Sequence, residues 1–576
     1  MARANDEAAA LIQELADLLS ITGGDAFKIR AYEKAARAIA GHPDDISELD
    51  LAGLRKIPTV GEAIAKKVLD YTTTGTIRQV EELRTQIPAG VRALTAIPTL
   101  GPKKALAVYE ELGISSVDEL AEAIKEGRLR GLKGFGAKTE DNILRGIELM
   151  RSSGERVLLD AAAGVADEVV AALSALPQVE RCAHAGSLRR MRETIGDVDV
   201  LAASTDPHPI MEAFTALPLV AEVIVGGDKK TSIRTDRGLQ VDLRVVPPEA
   251  WGAALQYFTG SQAHNIRTRE IAVKAGLKLS EYGLFDADSG DLIVSRTEDE
   301  VYERLGLPWI HPALREDTGE IEAALKDELP RLVTVEDLRG DLHSHTDLTD
   351  GIASLEDMVA AAADRGLEYY AITDHAPNLF MQRMTDEKML AQRERVRELQ
   401  KRYPGLVLLH GTELNIDPDG GVDWDAGFLA GFDICVASVH SHFTQDEAEM
   451  TRRLVRACEN PHVHVIGHPT ARSIGRRPPV DADWDEVFRT AARTGTAMEI
   501  DSFPDRLDLP ADLIRRAKRF GVRFSVDTDA HSLGHHRNIR YGIGTAQRGW
   551  LTPDDVINTW PLERLRAFLR KDEGAR

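Results

Sequence analysis

The chain has 576 residues, more than one hydrophobic core accommodates, which predicts roughly three to five domains. A formal net charge of -22 excludes a surface coated in basic residues, so nucleic acid would have to bind through local patches or bound cations. Three cysteines without CxxC spacing argue against a disulfide scaffold or a zinc finger. The sequence has no apolar stretch of transmembrane length and no signal peptide pattern, so we expect a cytoplasmic protein.

Residues 1–150 have a helical pattern broken by Gly and Pro, and a short turn recurs within them. The copies are LRKIPTVG at 54–61, LTAIPTLG at 94–101 and a weaker LRGLKGFG at 129–136. A glycine turn leading into a helix presents free N–H groups and the positive helix end to a phosphate. The repeats predict helix-hairpin-helix motifs that grip the DNA backbone without reading bases. The alternative is ordinary helix packing. Thr59 and Thr99 replace the first glycine of the motif.

Lys67 lies on the helix after the first turn, beside Lys66. A lysine amine close to another cation can act as a nucleophile and form a Schiff base with a sugar aldehyde. The alternative interpretation is a solvated lysine on a helix surface.

From about Arg156 the pattern changes to alternating strands and helices, and three carboxylates stand out. Asp197 and Asp199 are two residues apart on one predicted strand, so their side chains face the same way. Asp242 lies in a second strand that can come alongside. Such carboxylates repel one another unless divalent cations lie between them. Two Mg²⁺ ions there would clamp the attacking and leaving oxygens of a phosphoryl transfer.

A glycine-serine turn precedes this carboxylate pair and strengthens the prediction. Gly186-Ser187 and Arg190 would hold a triphosphate through N–H groups and a guanidinium. A DxD pair alone is more often a surface turn, so the prediction depends on the turn, the pair and the third aspartate together.

Between Gly340 and His531, seven apolar, β-rich runs end in His, Asp or Glu. Such runs, separated by helix-length stretches, predict the parallel strands of an α/β barrel, whose chemistry lies at the carboxyl ends of the strands. A lone histidine there would be an ordinary core residue. A ring of imidazoles and carboxylates instead predicts a metal site with more than one ion.

Residues 1 to about 318 resemble DNA polymerase family X, the group of DNA polymerase beta. The resemblance rests on the GS…GDVDV…VDLR set, on YFTGS at 257–261, on FKIRAY at 27–32 and on the hairpin repeats. It implies a multidomain chain with an all-α amino-terminal region and an α+β nucleotidyltransferase palm and thumb. The expected limits are a lyase-like DNA-end-binding domain at 1–87, a helix-hairpin-helix fingers-type domain at 88–154, the palm at 155–248, the thumb at 249–318 and a charged, mostly helical linker at 319–339.

The resemblance implies roles for individual residues. Asp197, Asp199 and Asp242 would bind the catalytic Mg²⁺ ions, with Asp242 activating the primer 3′-hydroxyl. Lys67 falls at the position of the lyase nucleophile, and Lys28 and Tyr32 would bind the 5′-phosphate of a gap. The residues implied to contact the incoming dNTP or the template are Gly186, Ser187, Arg190, Gly196, Tyr257, Phe258, Gly260, Asn265 and Arg269.

Residues 341–570 resemble the polymerase and histidinol phosphatase (PHP) family, which implies a distorted seven-stranded α/β barrel with expected limits at 340–576. The motifs HxH with a following Asp-Gly, TDH, a strand-end Glu, SVHSH, GHP and DAH occur in order. Imidazole and carboxylate without thiolate suit Mn²⁺ or Zn²⁺, with up to three ions. The ligands implied by the resemblance are His343, His345, Asp350, His375, Glu413, His440, His468, Asp529 and His531.

Together the two resemblances imply a monomeric repair polymerase for gapped or nicked DNA. It would fill short gaps during base-excision or end-joining repair, and its PHP site would act as a 3′–5′ exonuclease and cut abasic sites. Two alternatives remain. One is a PHP phosphatase or phosphoesterase whose front half binds DNA without polymerising, and the other is a non-enzymatic DNA-end scaffold.

Overall fold

The computed structural model describes residues 3–571 with several gaps. Residues 23, 41, 43, 44, 58, 88, 96, 98, 99, 133, 137, 138, 142, 145, 148–155, 228 and 380–383 are outside the description. Across the described residues, no helix combines the length and the hydropathy needed to cross a membrane.

The described residues of the amino-terminal region form helices and connecting turns, as the sequence predicts. Its α-helices are Arg3–Ile21, Ala26–Ala40, Leu51–Leu54, Glu62–Thr74, Arg78–Gln86, Ala89–Thr95, Gly101–Leu112 and Val117–Lys125, with 3₁₀ turns at Ile46–Glu48 and Arg128–Gly131. Their apolar faces form two cores, one that includes Ile12 and Leu15 and one that includes Leu120 and Leu129.

A five-stranded mixed sheet follows the helical region. The described residues of this part of the chain form seven strands, of which five form the sheet. They are β1 (Val157–Leu158), β2 (Arg181–His184), β3 (Thr194–Ile195), β4 (Asp197–Ala203), β5 (Val220–Val225), β6 (Lys230–Thr235) and β7 (Gln240–Val246). The sheet order is β2-β4-β7-β6-β5, and β1 pairs with β3 separately. The helices are Leu159–Ser174, Gly186–Arg189 and His208–Thr215. Strands β4 and β7 run parallel with Asp199 opposite Asp242, so this register brings the predicted carboxylates together.

The next unit packs helices against a small antiparallel sheet. It contains the 3₁₀ turns Pro248–Ala250 and Pro312–Leu314, the helices Trp251–Thr259, Gln262–Lys274 and Glu298–Arg304, and the strands β8 (Leu277–Ser280), β9 (Gly283–Asp286) and β10 (Leu292–Val294). Buried Glu298 lies 2.8 Å from Arg189 of the preceding unit and 2.7 Å from fully buried Arg315. This carboxylate between two guanidinium groups joins the two units.

The segment 319–339 is less helical than predicted. Its regular structure is the helix Glu320–Leu325 and the 3₁₀ turn Val335–Asp337. Pro330 cannot continue a helix, and Leu332 and Val333 after it are buried outside any helix or strand. Leu332 packs in the thumb core and Val333 in the barrel core, so the segment bridges two hydrophobic cores.

Seven parallel strands in chain order form the last unit. They are β11 (Gly340–Asp341), β12 (Tyr369–Ile372), β13 (Val407–Asn415), β14 (Ile434–Ser438), β15 (Val465–Ile466), β16 (Ala497–Asp501) and β17 (Phe524–Asp527). A bridge between Ser344 and Ala530 connects the two edges and nearly closes the barrel. The helices are Leu355–Asp364, Asp386–Gln400, Ala426–Leu429, Glu447–Glu459, Trp484–Thr494, Ala511–Arg519, Ile539–Arg548 and Leu562–Leu569, with 3₁₀ turns at Leu533–Asn538, Pro553–Asp555 and Ile557–Thr559.

These observations confirm the predicted fold class: helical front, mixed α+β middle and seven-stranded α/β barrel. Strand β12 illustrates why the barrel could be predicted, because all of its residues are buried, as in a parallel strand covered on both faces. The domain limits themselves stay predictions.

Candidate functional site

Three carboxylates lie together at the amino-terminal ends of β4 and β7. Asp197 and Asp199 share β4, and Asp242 is the register partner of Asp199. Burial and the neighbouring negative charges of Asp197 and Asp242 raise the pKa of Asp199 to about 7. Positive charge near these three carboxyl groups would stabilise the ionised form of Asp199. The cluster therefore suits divalent cations.

Asp242 is held by neighbours on its own sheet. Lys230 on β6 places Nζ 2.7 Å from Oδ2 of Asp242, and the side-chain amide of Gln240 donates to Oδ1 at 2.9 Å. Burial opposes ionisation, but these hydrogen bonds and the lysine charge lower the pKa of Asp242. The group is therefore an anion fixed in orientation, suitable as a cation ligand or as a proton acceptor.

Position 186 favours glycine because its backbone is left-handed and lies very close to the Asp199 carboxylate. Its φ is +61°, and a Cβ atom there would lie 2.2 Å from Oδ2 of Asp199. The tight turn at Gly186-Ser187 therefore brings backbone within contact of the carboxylates.

A pocket of about 670 Å³ opens above these carboxylates. Most of the residues implied for nucleotide or metal binding line it: Gly186, Ser187, Arg190, Asp197, Asp199, Tyr257, Phe258, Gly260, Asn265 and Arg269. Gly196 and Asp242 are adjacent to residues that line the pocket. Gly196 precedes Asp197 in the chain, and Asp242 lies opposite Asp199 on the neighbouring strand. The structure thus brings the polymerase-like residues together around one cavity.

Aromatic and amide groups from the helical wall are fixed by one another. The rings of Tyr257 and Phe258 meet edge to face with centroids 5.1 Å apart, and Arg244 lies 4.4 Å over the Phe258 ring. The Asn265 amide donates to the Tyr257 carbonyl at 2.7 Å, and Arg269 donates to the Asn265 carbonyl at 3.1 Å. These contacts preorganise the wall of the pocket.

Arg156, Arg192 and Glu316 also line the pocket, and sequence reasoning missed them. Glu316 lies 3.1 Å from Nε of Arg190 and 2.8 Å from Arg548 of the barrel unit. These residues lie outside every motif of the sequence, so no sequence signal indicated them.

The predicted residues of the helical front lie on two different helices. Lys67 is half-buried and lines a groove of about 850 Å³ together with Ala63, Lys66 and Arg78. Lys28 and Tyr32 lie on a different helix, Ala26–Ala40, where burial raises the pKa of Tyr32.

The first two hairpin turns are each described in part, because Pro58 of the first turn and Ala96, Pro98 and Thr99 of the second lie outside the described residues. Thr59 has φ of +65°, the left-handed conformation that glycine tolerates best.

The second candidate site lies at the carboxyl ends of the barrel strands. Its donors form three overlapping groups that could each hold a cation: His345, Asp350, His375 and His531; His343, His345 and Asp529; and His375, Glu413 and His440. Eight of the nine implied ligands therefore lie in these groups. The ninth, His468, places Nε2 3.0 Å from Oε1 of Glu413.

Glu413 is the centre of this cluster. His440 lies 3.0 Å from its Oε1, and His375 lies 2.9 Å from its Oε2. Although burial opposes ionisation, the charges of His440 and His375 hold the pKa of Glu413 well below its usual range. Burial also disfavours the charged form of His375, but Asp350 and Glu413 raise its pKa well above the usual value. The carboxylates thus draw positive charge into a buried site.

Several buried donor atoms have no hydrogen-bond partner among the described residues. They include Nδ1 of His345, Oδ1 of Asp350, Nδ1 of His468 and Oδ1 of Asp529. Buried polar atoms are normally paired, so unpaired atoms within a cluster of imidazoles and carboxylates indicate cation ligands. The donors are imidazole and carboxylate without thiolate, which fits Mn²⁺, Zn²⁺ or iron. The residues present therefore fit a multinuclear metal centre.

A second layer of residues orients the predicted ligands. Glu499 at the end of β16 places Oε1 2.6 Å from Nδ1 of His343, and Asn415 places Oδ1 2.8 Å from Nδ1 of His440. Each contact fixes which ring nitrogen faces the cluster. Glu499 ends one of the seven β-rich runs of the sequence, but it is not one of the implied ligands. Asn415 belongs to none of the sequence motifs.

Arginines border the barrel cluster on one side. A pocket of about 420 Å³ is lined by Ser473, Arg476, Arg477, Asp505 and Arg506. Arg506 lies 3.6 Å from Asp501 at the end of β16. Burial lowers the pKa of Arg477 to about 10, which leaves it cationic at neutral pH. The pocket therefore suits a phosphate beside the metal ligands.

Models of known families match four parts of the chain. They are a helix-hairpin-helix domain at residues 3–77, a SAM-like helix-hairpin-helix tandem at 91–148, the DNA polymerase beta thumb at 254–316 and a PHP domain at 341–501. Fold, pockets and matches together define the class: a polymerase-beta-like chain joined to a PHP metal-binding barrel.

Comparison with individual proteins resolves the family. The chain is 34% identical to the DNA polymerase/3′-5′ exonuclease PolX of Bacillus subtilis (strain 168), over 98% of this chain and 99% of that protein. It therefore belongs to the PolX family of DNA polymerases. It is also 26% identical to DNA polymerase lambda of Rattus norvegicus, over 51% of this chain and 53% of that protein. A probable phosphatase of Syntrophotalea carbinolica is 30% identical over 40% of this chain and 95% of that protein.

Proposed function

We propose that this protein is a repair polymerase that fills short gaps in DNA and processes 3′ ends at a separate metal centre. The observation that carries the proposal is the presence of two complete donor sets on one chain. Three carboxylates lie beside a pocket of about 670 Å³, and nine imidazole and carboxylate side chains lie together at the barrel mouth beside an arginine-lined pocket. The Bacillus relative, whose name includes both activities, aligns over nearly the whole chain.

At the first site, Asp197, Asp199 and Asp242 would hold Mg²⁺, which supplies positive charge to the attacking and leaving oxygens when bound. Asp242 accepts the proton of the primer 3′-hydroxyl, since Lys230 and Gln240 keep it ionised and oriented.

The walls of the same pocket bind the substrate. Ser187 and Arg190 bind the triphosphate, and Tyr257 and Phe258 pack on the sugar where a 2′-hydroxyl would collide. Asn265 reaches the base edge and Arg269 the template strand. This geometry favours dNTP as the substrate and a gapped or nicked duplex as the partner.

At the second site the nine donors would hold up to three Mn²⁺ or Zn²⁺ ions, which supply electrophilic charge for phosphodiester cleavage when bound. Glu499 keeps the imidazole of His343 in one tautomer. Arg477 and Arg506 bind the phosphate beside the ligands and offset the charge that develops on its oxygens. A 3′-terminal nucleotide is the substrate that this centre would remove, and an abasic site is a second one.

The helical front would hold the DNA. Hairpin turns bind backbone phosphates, and Lys28 and Tyr32 lie on a helix that would contact the 5′-phosphate of a gap. The groove beside Lys67 would accept a sugar-phosphate end, with Lys67 as the Schiff-base nucleophile of a lyase step. We expect the protein to act as a cytoplasmic monomer.

One experiment separates the two sites. Wild type, Asp199→Ala and His343→Ala are compared in primer extension on gapped DNA with Mg²⁺ and in 3′-end degradation with Mn²⁺. Asp199→Ala loses extension and retains degradation, and His343→Ala does the reverse, by roughly 10³-fold each. Asp288→Asn, an exposed thumb carboxylate, is the matched control that leaves both activities unchanged.

The outcomes also test the alternatives. Equal loss of degradation in both variants contradicts the division into two sites. Hydrolysis of phosphate monoesters without nucleotide addition favours a phosphatase, a possibility kept open by the phosphatase-named relative of the barrel. Retention of repair by both variants favours a scaffold.

A further inference from the structure

The helix Ile539–Arg548 of the PHP barrel lies against the palm turn that carries Arg190. Arg548 donates to the backbone carbonyl of Arg190 at 2.9 Å and to Oε1 of Glu316 at 2.8 Å. The same Oε1 accepts from Nε of Arg190 at 3.1 Å. One carboxylate oxygen therefore connects a barrel arginine to an arginine at the wall of the nucleotide pocket.

The turn at 190–193 contacts the PHP barrel at two further points. A Cβ atom on Gly544 would lie 2.4 Å from Cε of Met191, so the helix and the turn are in close contact. Arg472 places a guanidinium nitrogen 2.7 Å from Glu193 and also donates to the carbonyl of Leu507. The turn that follows Gly186-Ser187 is thus held from the barrel side at three consecutive places.

The arginine-carboxylate cluster is shielded from solvent. The side chains of Arg190 and Arg548 are 13% exposed and that of Glu316 is 18% exposed. Burial opposes ionisation, but Arg190 and Arg548 lower the pKa of Glu316, so it is an anion. Arg190 also donates to the Thr259 carbonyl, which fixes the plane of its guanidinium at the pocket wall.

Three cations share one anion in this arrangement, because Arg192 also lies 3.9 Å from Oε1 of Glu316. Since Glu316 pairs with Arg548 and Arg192 as well as with Arg190, the carboxylate orients Arg190 without neutralising it. The positive charge that remains faces the pocket where a triphosphate would bind. Without Arg548, which is closer to Glu316 than Arg192 is, more of the charge of Glu316 would act on Arg190 and compete with phosphate oxygens.

We propose that Arg548 of the PHP barrel is a positioning residue of the polymerase site, acting through Glu316 to orient Arg190 toward the triphosphate of the incoming dNTP. The polymerase site is then complete only when the barrel is docked on the palm. This inference rests on the proposed polymerase function, and it assigns to the barrel a role that is independent of its metal centre.

The test is steady-state single-nucleotide extension on gapped DNA with full-length Arg548→Met. The KM for dNTP rises roughly tenfold while kcat changes less than about threefold, because the lost interaction acts on the bound triphosphate. Arg548→Lys retains the charge and a donor and restores KM to within about threefold of wild type. In a Glu316→Gln background, Arg548→Met changes KM by less than about twofold, since the connecting carboxylate is absent.

The matched control is Arg540→Gln. Arg540 lies on the same helix and lies 3.4 Å from Asp167 of the palm, away from the nucleotide pocket. It therefore tests whether any weakened palm–barrel ion pair raises KM. Its KM for dNTP stays at the wild-type value. Exonuclease activity with Mn²⁺ on single-stranded DNA and the thermal midpoint report whether Arg548→Met leaves the barrel folded.

The outcomes are distinguishable. An unchanged KM in Arg548→Met, or an equal rise in Arg540→Gln, overturns the inference. So does a loss of kcat and thermal midpoint that Arg548→Lys does not restore, because that pattern describes a purely structural residue. Absence of extension by wild type instead overturns the proposed polymerase function, and this inference with it.

Discussion

Glu499 lies 2.6 Å from Nδ1 of His343, and both side chains are fully buried. The carboxylate therefore fixes the imidazole so that Nε2 faces His345, Glu413 and Asp529. Its second oxygen accepts from the backbone N–H of His468, so one residue connects two of the implied ligands. Glu499 thus organises the cluster without belonging to the predicted ligand set.

Glu499→Gln weakens the PHP metal centre. A glutamine amide has one acceptor oxygen and cannot accept from both the His343 ring and the His468 backbone. We expect Mn²⁺ affinity and exonuclease activity to fall roughly 10- to 100-fold, with primer extension unchanged. Metal content after dialysis and 3′-end degradation measure the effect. Glu459→Gln, on the barrel surface, is the control. Wild-type metal content in Glu499→Gln would contradict the role.

The first hairpin turn offers a test by glycine substitution. Thr59 has φ of +65°, which costs a non-glycine residue about 1 kcal/mol. Thr59→Gly should raise the stability of the helical region by roughly 0.5 kcal/mol after the larger entropy of the unfolded chain is included. It should also tighten binding to gapped DNA by allowing closer phosphate approach. Thermal unfolding and fluorescence anisotropy give the two readouts.

Thr73→Gly is the matched control for this substitution. Thr73 is exposed on the helix Glu62–Thr74, where glycine loses about 0.5 kcal/mol or more of stability. The two substitutions should therefore shift the midpoint in opposite directions. A lower midpoint for both variants would show that the left-handed turn is not strained.

Glu298→Gln destabilises the palm–thumb junction. Burial opposes ionisation, but the hydrogen bonds and charges of Arg189 and Arg315 lower the pKa of Glu298 to about 2. Removing one partner of a buried ion pair costs about 3 kcal/mol at pH 7. Urea unfolding at pH 7 measures this loss, and Glu303→Gln on the exposed face of the same helix is the control.

The stability lost in Glu298→Gln should decrease as the pH falls. A carboxyl group with a lowered folded-state pKa stabilises the fold above its unfolded pKa of about 4.3, and the contribution disappears as pH falls toward about 2. The difference in the free energy of unfolding between wild type and Glu298→Gln should be largest above pH 5 and shrink below it. A difference that stays constant between pH 7 and pH 3 would contradict this assignment.

The barrel site could be predicted from sequence because the last residues of all the parallel strands lie at the same end of the barrel. His343 and His531 are far apart in the chain, but both follow buried β-rich runs, so topology alone places them together. The carboxylates of β4 and β7 were predictable for a similar reason, since the alternation of side chains along a strand pairs Asp197 with Asp199.

Residues that the sequence did not indicate reach the pocket wall because separate structural units pack against one another. Arg548 contacts Glu316 across the thumb–barrel junction, and no periodicity or spacing in the sequence indicates that contact. The segment 319–339 was predicted as mostly helical from its charge pattern, but Leu332 and Val333 are buried by two different cores. Tertiary burial overrides local propensity where a short segment connects two packed bodies.

Removal of the metal tests the unpaired donors of the barrel. Oδ1 of Asp350 and Oδ1 of Asp529 are buried and have no hydrogen-bond partner in the described part of the chain, so a cation that binds them stabilises the folded state. Mn²⁺ at about 100 times its Kd should add about 2.7 kcal/mol to the barrel, and chelation should remove it. Thermal unfolding of the full chain with and without EDTA gives the measurement. In Asp350→Asn with His343→Ala the ion should shift the midpoint far less, because two donors are lost. A shift of wild-type size in that variant would mean that Mn²⁺ acts at another surface.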